Sequence, residues 1–187
     1  IWSDYRIIMS AIFEKLLFNE FESNKVLIRH RNFNIKYKDI FKSEDINLDK
    51  IHKGDVVALI GDYDGFTIKT FLKLIDKKVI VVPLTNDTKT FHNYYFSEAS
   101  VDFVIDKKKI RKIKSKKKKI LNKFRKKDQS GLILFSSGTT GRPKAILHSI
   151  SDLLKRYEGK KKSLITMNFL LFDHIGGINT LFFTLFN

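Results

Sequence analysis

The sequence predicts an α/β fold: a parallel βαβ layered sheet with helices on both faces, plus antiparallel strands around one polar loop. Two runs, GDVVALI (54–60) and KVIVVPL (78–84), are short and almost continuously apolar, the pattern of strands covered on both faces. Between them Phe66, Ile68, Phe71, Leu72 and Ile75 recur at helical spacing. A second amphipathic stretch, 88–100, leads into a third strand, VDFVID (101–106), which makes the order βαβαβ with right-handed crossovers.

The other elements follow in chain order. Residues 7–18 carry a helical apolar stripe, and 25–37 alternate enough for a hairpin turning near Arg31 and Asn32. The apolar run 132–135 reads as a buried strand and 145–147 as a second short one, so the polar stretch between them joins strands. Ser149 with Asp152 has the pattern of a capping box for a helix beginning near Ile150. Residues 164–172 predict one more strand, and Ile178, Leu181, Phe182 and Leu185 give a final helix one apolar face. Because the chain opens on Ile1 and stops at Asn187 within an apolar helical pattern, it is expected to be a fragment.

Composition restricts the function classes. With 187 residues, 43% hydrophobic and 13% aromatic, the chain can bury a core of ordinary size. The lack of cysteine excludes disulfides and thiolate metal sites and is compatible with a reducing, cytoplasmic setting. Asp4, Arg6, Glu14 and Glu20 interrupt any signal-peptide pattern at the start. The most apolar stretch, 169–186, contains Asp173, His174 and Asn179, so no transmembrane helix is expected.

The net charge of +16 is local, since 107–127 holds 14 Lys or Arg and no acid. Such a strip can track nucleic-acid phosphates or lie on an anionic membrane, with Ile110, Ile113, Ile120, Leu121 and Phe124 at roughly helical spacing. Against this stands a solvated, lysine-padded linker. The strip is mostly Lys, where specific nucleic-acid readers mix Arg and aromatics, so the linker reading is favoured and no specific nucleic-acid partner is expected. The organisation is then a βαβ subdomain (1–106), a basic linker (107–127) and a functional segment (128–187).

That last segment carries the chemistry. In SSGTTGRPK (136–144), Gly138 and Gly141 let consecutive backbone N–H groups turn toward one centre. The hydroxyls of Ser136, Ser137, Thr139 and Thr140 surround that centre, Lys144 adds a compact charge and Pro143 stiffens the approach. This concavity suits an anion. It is not a Walker loop, because Lys144 follows Pro143 and precedes an apolar run instead of opening a helix after Gly-Lys-Ser/Thr. FDHIGG (172–177), read by itself, is a strand-to-helix turn with a structural histidine. His30, His52, His92 and His148 are scattered without metal-ligand spacing.

SSGTTGRPK is similar, without a gap, to the phosphate-loop signature of the acyl-adenylate-forming (AMP-binding) enzymes: acyl-CoA synthetases, luciferases and the adenylation domains of peptide synthetases. Ala145 departs where Gly is common. NKVLIRHRNFNIKYKDI (24–40) resembles the family's first hairpin, residues 54–84 its first βαβ unit, and FDHIGG its substrate-gate motif. FKSEDINLDKIHK (41–53) is shorter and more polar than the amphipathic helix usual there.

The resemblance implies an AMP-forming acid-thiol ligase of the acyl-CoA synthetase branch. A carboxylate attacks the α-phosphate of ATP, with Mg²⁺ accompanying the nucleotide, and CoA or a carrier-protein thiol then accepts the acyl group. Ser136, Ser137, Gly138, Thr139, Thr140, Gly141 and Lys144 would clamp the β- and γ-phosphates. His174 falls where a ring lines the junction of carboxylate and ATP, with Gly176 and Gly177 walling the acyl tunnel. Asp173 stands about where amino-acid-activating relatives pair with a substrate ammonium, yet the His174 and glycine pattern points to a fatty or aryl acid. In that case Asp173 is expected to cap the helix at Gly176. Later adenine and ribose contacts, a Mg²⁺-binding acid and a C-terminal lysine domain would lie beyond Asn187, so the fragment alone is expected to be inactive.

Overall fold

A computed structural model describes residues 24–29, 33–43, 45–115, 119–136, 141–157 and 164–186, with backbone only at 41, 42 and 120. The helix expected over 7–18 and the hairpin turn at Arg31 and Asn32 lie outside the described residues. The hairpin strands themselves are present: β1 (Val26–Arg29) pairs antiparallel with β2 (Asn34–Lys36). A short helix, α1 (Tyr37–Lys42), follows.

Six strands form the main sheet: β3 (Val56–Ile60), β4 (Ile80–Leu84), β5 (Phe103–Asp106), β6 (Lys109–Lys112), β7 (Gly131–Ser136) and β8 (Lys144–Ser149), in spatial order β6-β5-β3-β4-β7-β8. The four central strands run parallel, and each edge strand is antiparallel to its neighbour. Alternate residues of the central strands enter different cores, which explains their unbroken apolar runs. Val57, Leu59 and Val81 face one cluster, whereas Val56, Ala58, Ile60, Ile80 and Val82 face the other. Burial of each such Val, Leu or Ile contributes about 1.5–3 kcal/mol.

The first cluster is closed by α2 (Gly65–Asp76), through Ile68, Phe71, Leu72, Leu74 and Ile75, and by α6 (Ile175–Phe186). Asp64 caps α2, its Oδ1 accepting from Thr67 N at 2.8 Å. On the other face the stretch predicted as one helix over 88–100 is divided into a 3-10 turn (Asn86–Phe91) and α3 (His92–Glu98), which buries Tyr95 and Phe96. The capped helix expected near Ile150 is α5 (Ile150–Leu154), with Ser149 Oγ accepting from Asp152 N at 3.2 Å.

Two expectations need correction. The basic stretch is not a linker between subdomains, because β6 closes the sheet edge and α4 (Lys119–Arg125) buries Leu121 in the second core. Arg125 fastens α4, donating from Nε to Gly54 O at 2.6 Å and pairing with Asp102 at 3.3 Å. Lysine is the residue that an exposed edge strand tolerates, since its charge discourages pairing with another chain. Residues 164–172, predicted as a strand, form none: a strand needs a ladder, and no strand among the described residues pairs with them. Ile165, Met167 and Phe169 are instead turned to solvent. Among the described residues no helix is long and apolar enough to cross a membrane.

Pro83 shapes the functional end of the sheet. It lies in a central strand, where a missing N–H would break the ladder. β4 pairs with β7 only at Ile80 and Val81, so the two strands have already parted where Pro83 stands. The gap opens at their carboxyl ends.

Candidate functional site

Although β3 and β4 are parallel neighbours, the chain leaves them toward opposite faces, to α2 in one core and to α3 in the other. A crevice at the carboxyl ends of the strands results from such a reversal. A cleft of about 370 Å³ lies there, with Asp62, Asp64, Asp87 and Asp106 outnumbering Lys107 and Lys108 on its wall. That balance opposes a polyphosphate. Beside β4 stands β7, which turns into β8.

β7 and β8 stay in register from Gly131 opposite Ser149 to Ser136 opposite Lys144, the pair that begins and ends SSGTTGRPK. Ser137, Gly138, Thr139 and Thr140 lie outside the described residues. Gly141 has φ +93° and nothing within 4 Å of where a Cβ would stand, so its backbone conformation, not crowding, requires glycine. Helix α3 grips both feet of the hairpin. Tyr95 stacks on Phe135 with ring centroids 3.9 Å apart, and the Tyr94 hydroxyl donates to Pro143 O at 2.9 Å. Lys144 begins β8 with an exposed side chain, and Ser136 is half-buried at the end of β7.

FDHIGG enters the same region from the first core. Phe172 is fully buried, edge-on to Tyr63 and Phe71 at 5.6 and 5.4 Å. Asp173 is only 8% exposed. Its Oδ2 accepts from the Thr85 and Thr88 hydroxyls at 3.1 and 3.3 Å, and its Oδ1 lies 2.8 Å from His174 Nδ1. The expected cap on the final helix is therefore not made by Asp173. The hydroxyls of Thr85, directly after β4, and Thr88, in the 3-10 turn, hold the carboxylate, and among the described residues no α6 amide donates to it. His174 has an exposed ring, with its side chain 55% accessible, and its Nε2 has no hydrogen-bond partner among the described residues.

Two tyrosines sense this carboxylate. Burial first, then the Asp173 and Tyr94 charges, raises the Tyr95 hydroxyl above its ordinary value. Burial chiefly, with Asp62 and Asp173 assisting against a hydrogen bond involving Asn168, pushes Tyr63 up to about 12. Both phenols thus stay neutral donors at ordinary pH.

Gly177 permits the close approach on which the turn depends. A Cβ there would stand 2.3 Å from both Leu171 O and the Tyr63 hydroxyl, whereas one on Gly176 would meet only the flexible end of Leu170 at 2.3 Å. Gly177→Ala should therefore cost about 1–3 kcal/mol, and Gly176→Ala clearly less. Urea unfolding of both variants checks this; equal losses would remove the close approach as the cause.

The two motifs thus meet on one segment, residues 85–95. Thr85 and Thr88 hold Asp173, while Tyr94 and Tyr95 hold the base of the hairpin loop. Sequence reasoning singled out none of these four, nor Tyr63. One signal was available: Thr-Asn-Asp-Thr directly follows an apolar parallel strand, where open α/β sheets place their ligands. Among the described residues no group of three His, Cys, Asp or Glu is placed to hold a metal ion.

The α/β architecture of this six-stranded sheet is consistent with that of the N-terminal part of adenylate-forming enzymes, whose solved structures it resembles in fold. The N-terminal subdomain of NpsA from Klebsiella oxytoca, in complex with 3-hydroxyanthranilyl-AMSN, matches with a TM-score of 0.64 at 18% identity, over 94% of this chain and 50% of that one. The o-succinylbenzoate CoA synthetase MenE from Bacillus subtilis, with its acyl-adenylate intermediate, matches with a TM-score of 0.60 at 14% identity, over 91% and 53%. The N-terminal domain of FACL13 from Mycobacterium tuberculosis, bound to an inhibitor, matches with a TM-score of 0.56 at 14% identity, over 82% and 48%. The chain spans about half the length of these structures. The likeness is one of fold; no family model and no curated protein matches the sequence.

Proposed function

We propose that this chain is the phosphate-loop portion of an enzyme that activates a carboxylic acid with ATP. A substrate carboxylate oxygen attacks the α-phosphorus, an acyl–O–P bond forms, the bond to the β-phosphate bridge breaks, and pyrophosphate leaves. The observation that carries this reading is the convergence of the SSGTTGRPK hairpin and the Asp173–His174 pair on residues 85–95. In this reading Ser136, Gly141 and Lys144, with Ser137, Gly138, Thr139 and Thr140, hold the β- and γ-phosphates, where preorganised donors stabilise the charge that develops on the leaving pyrophosphate. Mg²⁺ would arrive with the nucleotide and further neutralise that charge. His174 lies at the acid's carboxylate, and Gly176 and Gly177 line the wall beside it. The acid is fatty or aryl, the acyl acceptor is CoA or a carrier-protein thiol, and the setting is cytoplasmic.

An amino-acid substrate is the weaker reading, because Asp173 is buried and already engaged by two hydroxyls and a histidine. ATP–pyrophosphate exchange with a panel of fatty, aryl and α-amino acids tests the proposal on the protein carrying this chain. Exchange with plain acids is expected, and strict dependence on an α-amino group would overturn the substrate class.

A further inference from the structure

We propose that Asp173 is a positioning residue: anchored by Thr85, it holds His174 through Nδ1 and thereby reserves Nε2 as the nitrogen presented to the ligand. The inference rests on the reading of the site as one for a carboxylic acid and ATP, and it names the atom that meets the acid.

Hydrogen-bond chemistry fixes the assignment. A carboxylate is an acceptor only, so the 2.8 Å contact between Asp173 Oδ1 and His174 Nδ1 requires the proton on Nδ1. A neutral ring so held keeps an unprotonated Nε2. The other carboxylate oxygen is held from the sheet side by the Thr85 hydroxyl at 3.1 Å. Thr88 is the lesser anchor, since its single hydroxyl proton is divided between Thr85 O at 3.1 Å and Asp173 at 3.3 Å. Thr85 is itself 3% exposed, directly after β4 and at the start of the 3-10 turn, and its carbonyl lies 3.0 Å from His92 Nε2, so the anchor is buried and tied to both elements. Only the histidine projects into solvent. An ammonium group seeking Asp173 would have to displace that ring. Nε2 can take up a proton and donate it to a carboxylate or phosphate oxygen, with Asp173 balancing the imidazolium charge.

Two-bond ¹H–¹⁵N spectra of the protein labelled at histidine nitrogen test this without any assay of turnover. The unmodified protein should show His174 as the Nδ1–H tautomer; a majority of Nε2–H would overturn the proposal at once. Asp173→Ala and Thr85→Val should shift the ring toward Nε2–H, with unchanged His52 and His148 signals reporting an intact fold. Asp173→Asn, which keeps an acceptor oxygen, should restore part of the Nδ1–H signal. An unmoved tautomer in a folded Asp173→Ala protein also overturns the proposal. In pyrophosphate exchange, Asp173→Asn should lower kcat for plain acids more than it raises KM, and a loss confined to α-amino acids would instead assign Asp173 to the substrate. If no acid supports exchange in the unmodified protein, the proposed function fails while the tautomer still decides the positioning role.

Discussion

Phe172→Ala is expected to lower the unfolding free energy by about 3–5 kcal/mol, the range for truncating a buried aromatic ring. Phe172 is 0% exposed and meets Tyr63 and Phe71 edge to face, while Phe71 in turn stacks on Phe182 of α6 at 6.0 Å. Its removal leaves a cavity beside Phe71 of α2 and Tyr63, which surrounding side chains fill only in part. The effect should also reach the site, because Asp173 is the next residue and Tyr63 donates to Leu170 O at 3.2 Å on the same turn. Phe169, three residues earlier and 83% exposed, is the internal control: Phe169→Ala should change stability by about 0.5 kcal/mol at most. Urea midpoints of the two variants decide the matter, and a Phe172→Ala loss no larger than that of Phe169→Ala would refute the packing argument.

Those two phenylalanines also show what the sequence could convey. Both sit in one apolar run, 164–172, and nothing in that run distinguishes the ring in the core from the ring in solvent. An apolar sequence signals surface to be covered; it does not name the cover. The central strands were legible because their partners are other unbroken apolar runs within the same chain. β6 was hidden for a different reason. Its KIRK sequence alternates only weakly, and the charge of the whole strip masked the half-buried Ile110 packed against the first core.

The site divides along the same line. SSGTTGRPK and FDHIGG are contiguous local patterns, so both could be singled out from residue order alone. Thr85, Thr88, Tyr94 and Tyr95 matter only through contacts made across the fold. Tyr94 reaches Pro143 over 49 positions of sequence, and Thr85 reaches Asp173 over 88. No spacing rule links residues so far apart. The misassigned cap has the same origin: an Asp before a helix is an ordinary local signal, and the tertiary hydroxyls of Thr85 and Thr88 outcompeted it.

The hairpin loop should be the most sensitive part of the molecule in catalysis. Lys144→Ala is expected to lower kcat/KM for ATP in pyrophosphate exchange by about 10- to 150-fold, the equivalent of one charge-assisted hydrogen bond of about 1.5–3 kcal/mol. Lys144 is exposed and makes no ion pair among the described residues, so its loss should hardly affect folding. Its position as the first residue of β8, opposite Ser136, sets its backbone at the mouth of the loop. Thr139→Ala, at the loop's centre in sequence, should act in the same direction through loss of a neutral donor and therefore less strongly. Lys109, on the far edge of the sheet in β6, is the matched control: Lys109→Ala removes the same charge from the protein and should leave exchange unchanged. Equal losses at Lys144 and Lys109 would mean that overall positive charge, rather than the loop, attracts the nucleotide. Unchanged exchange in both loop variants would mean that the loop does not hold the phosphates and would remove the ground for an adenylating enzyme.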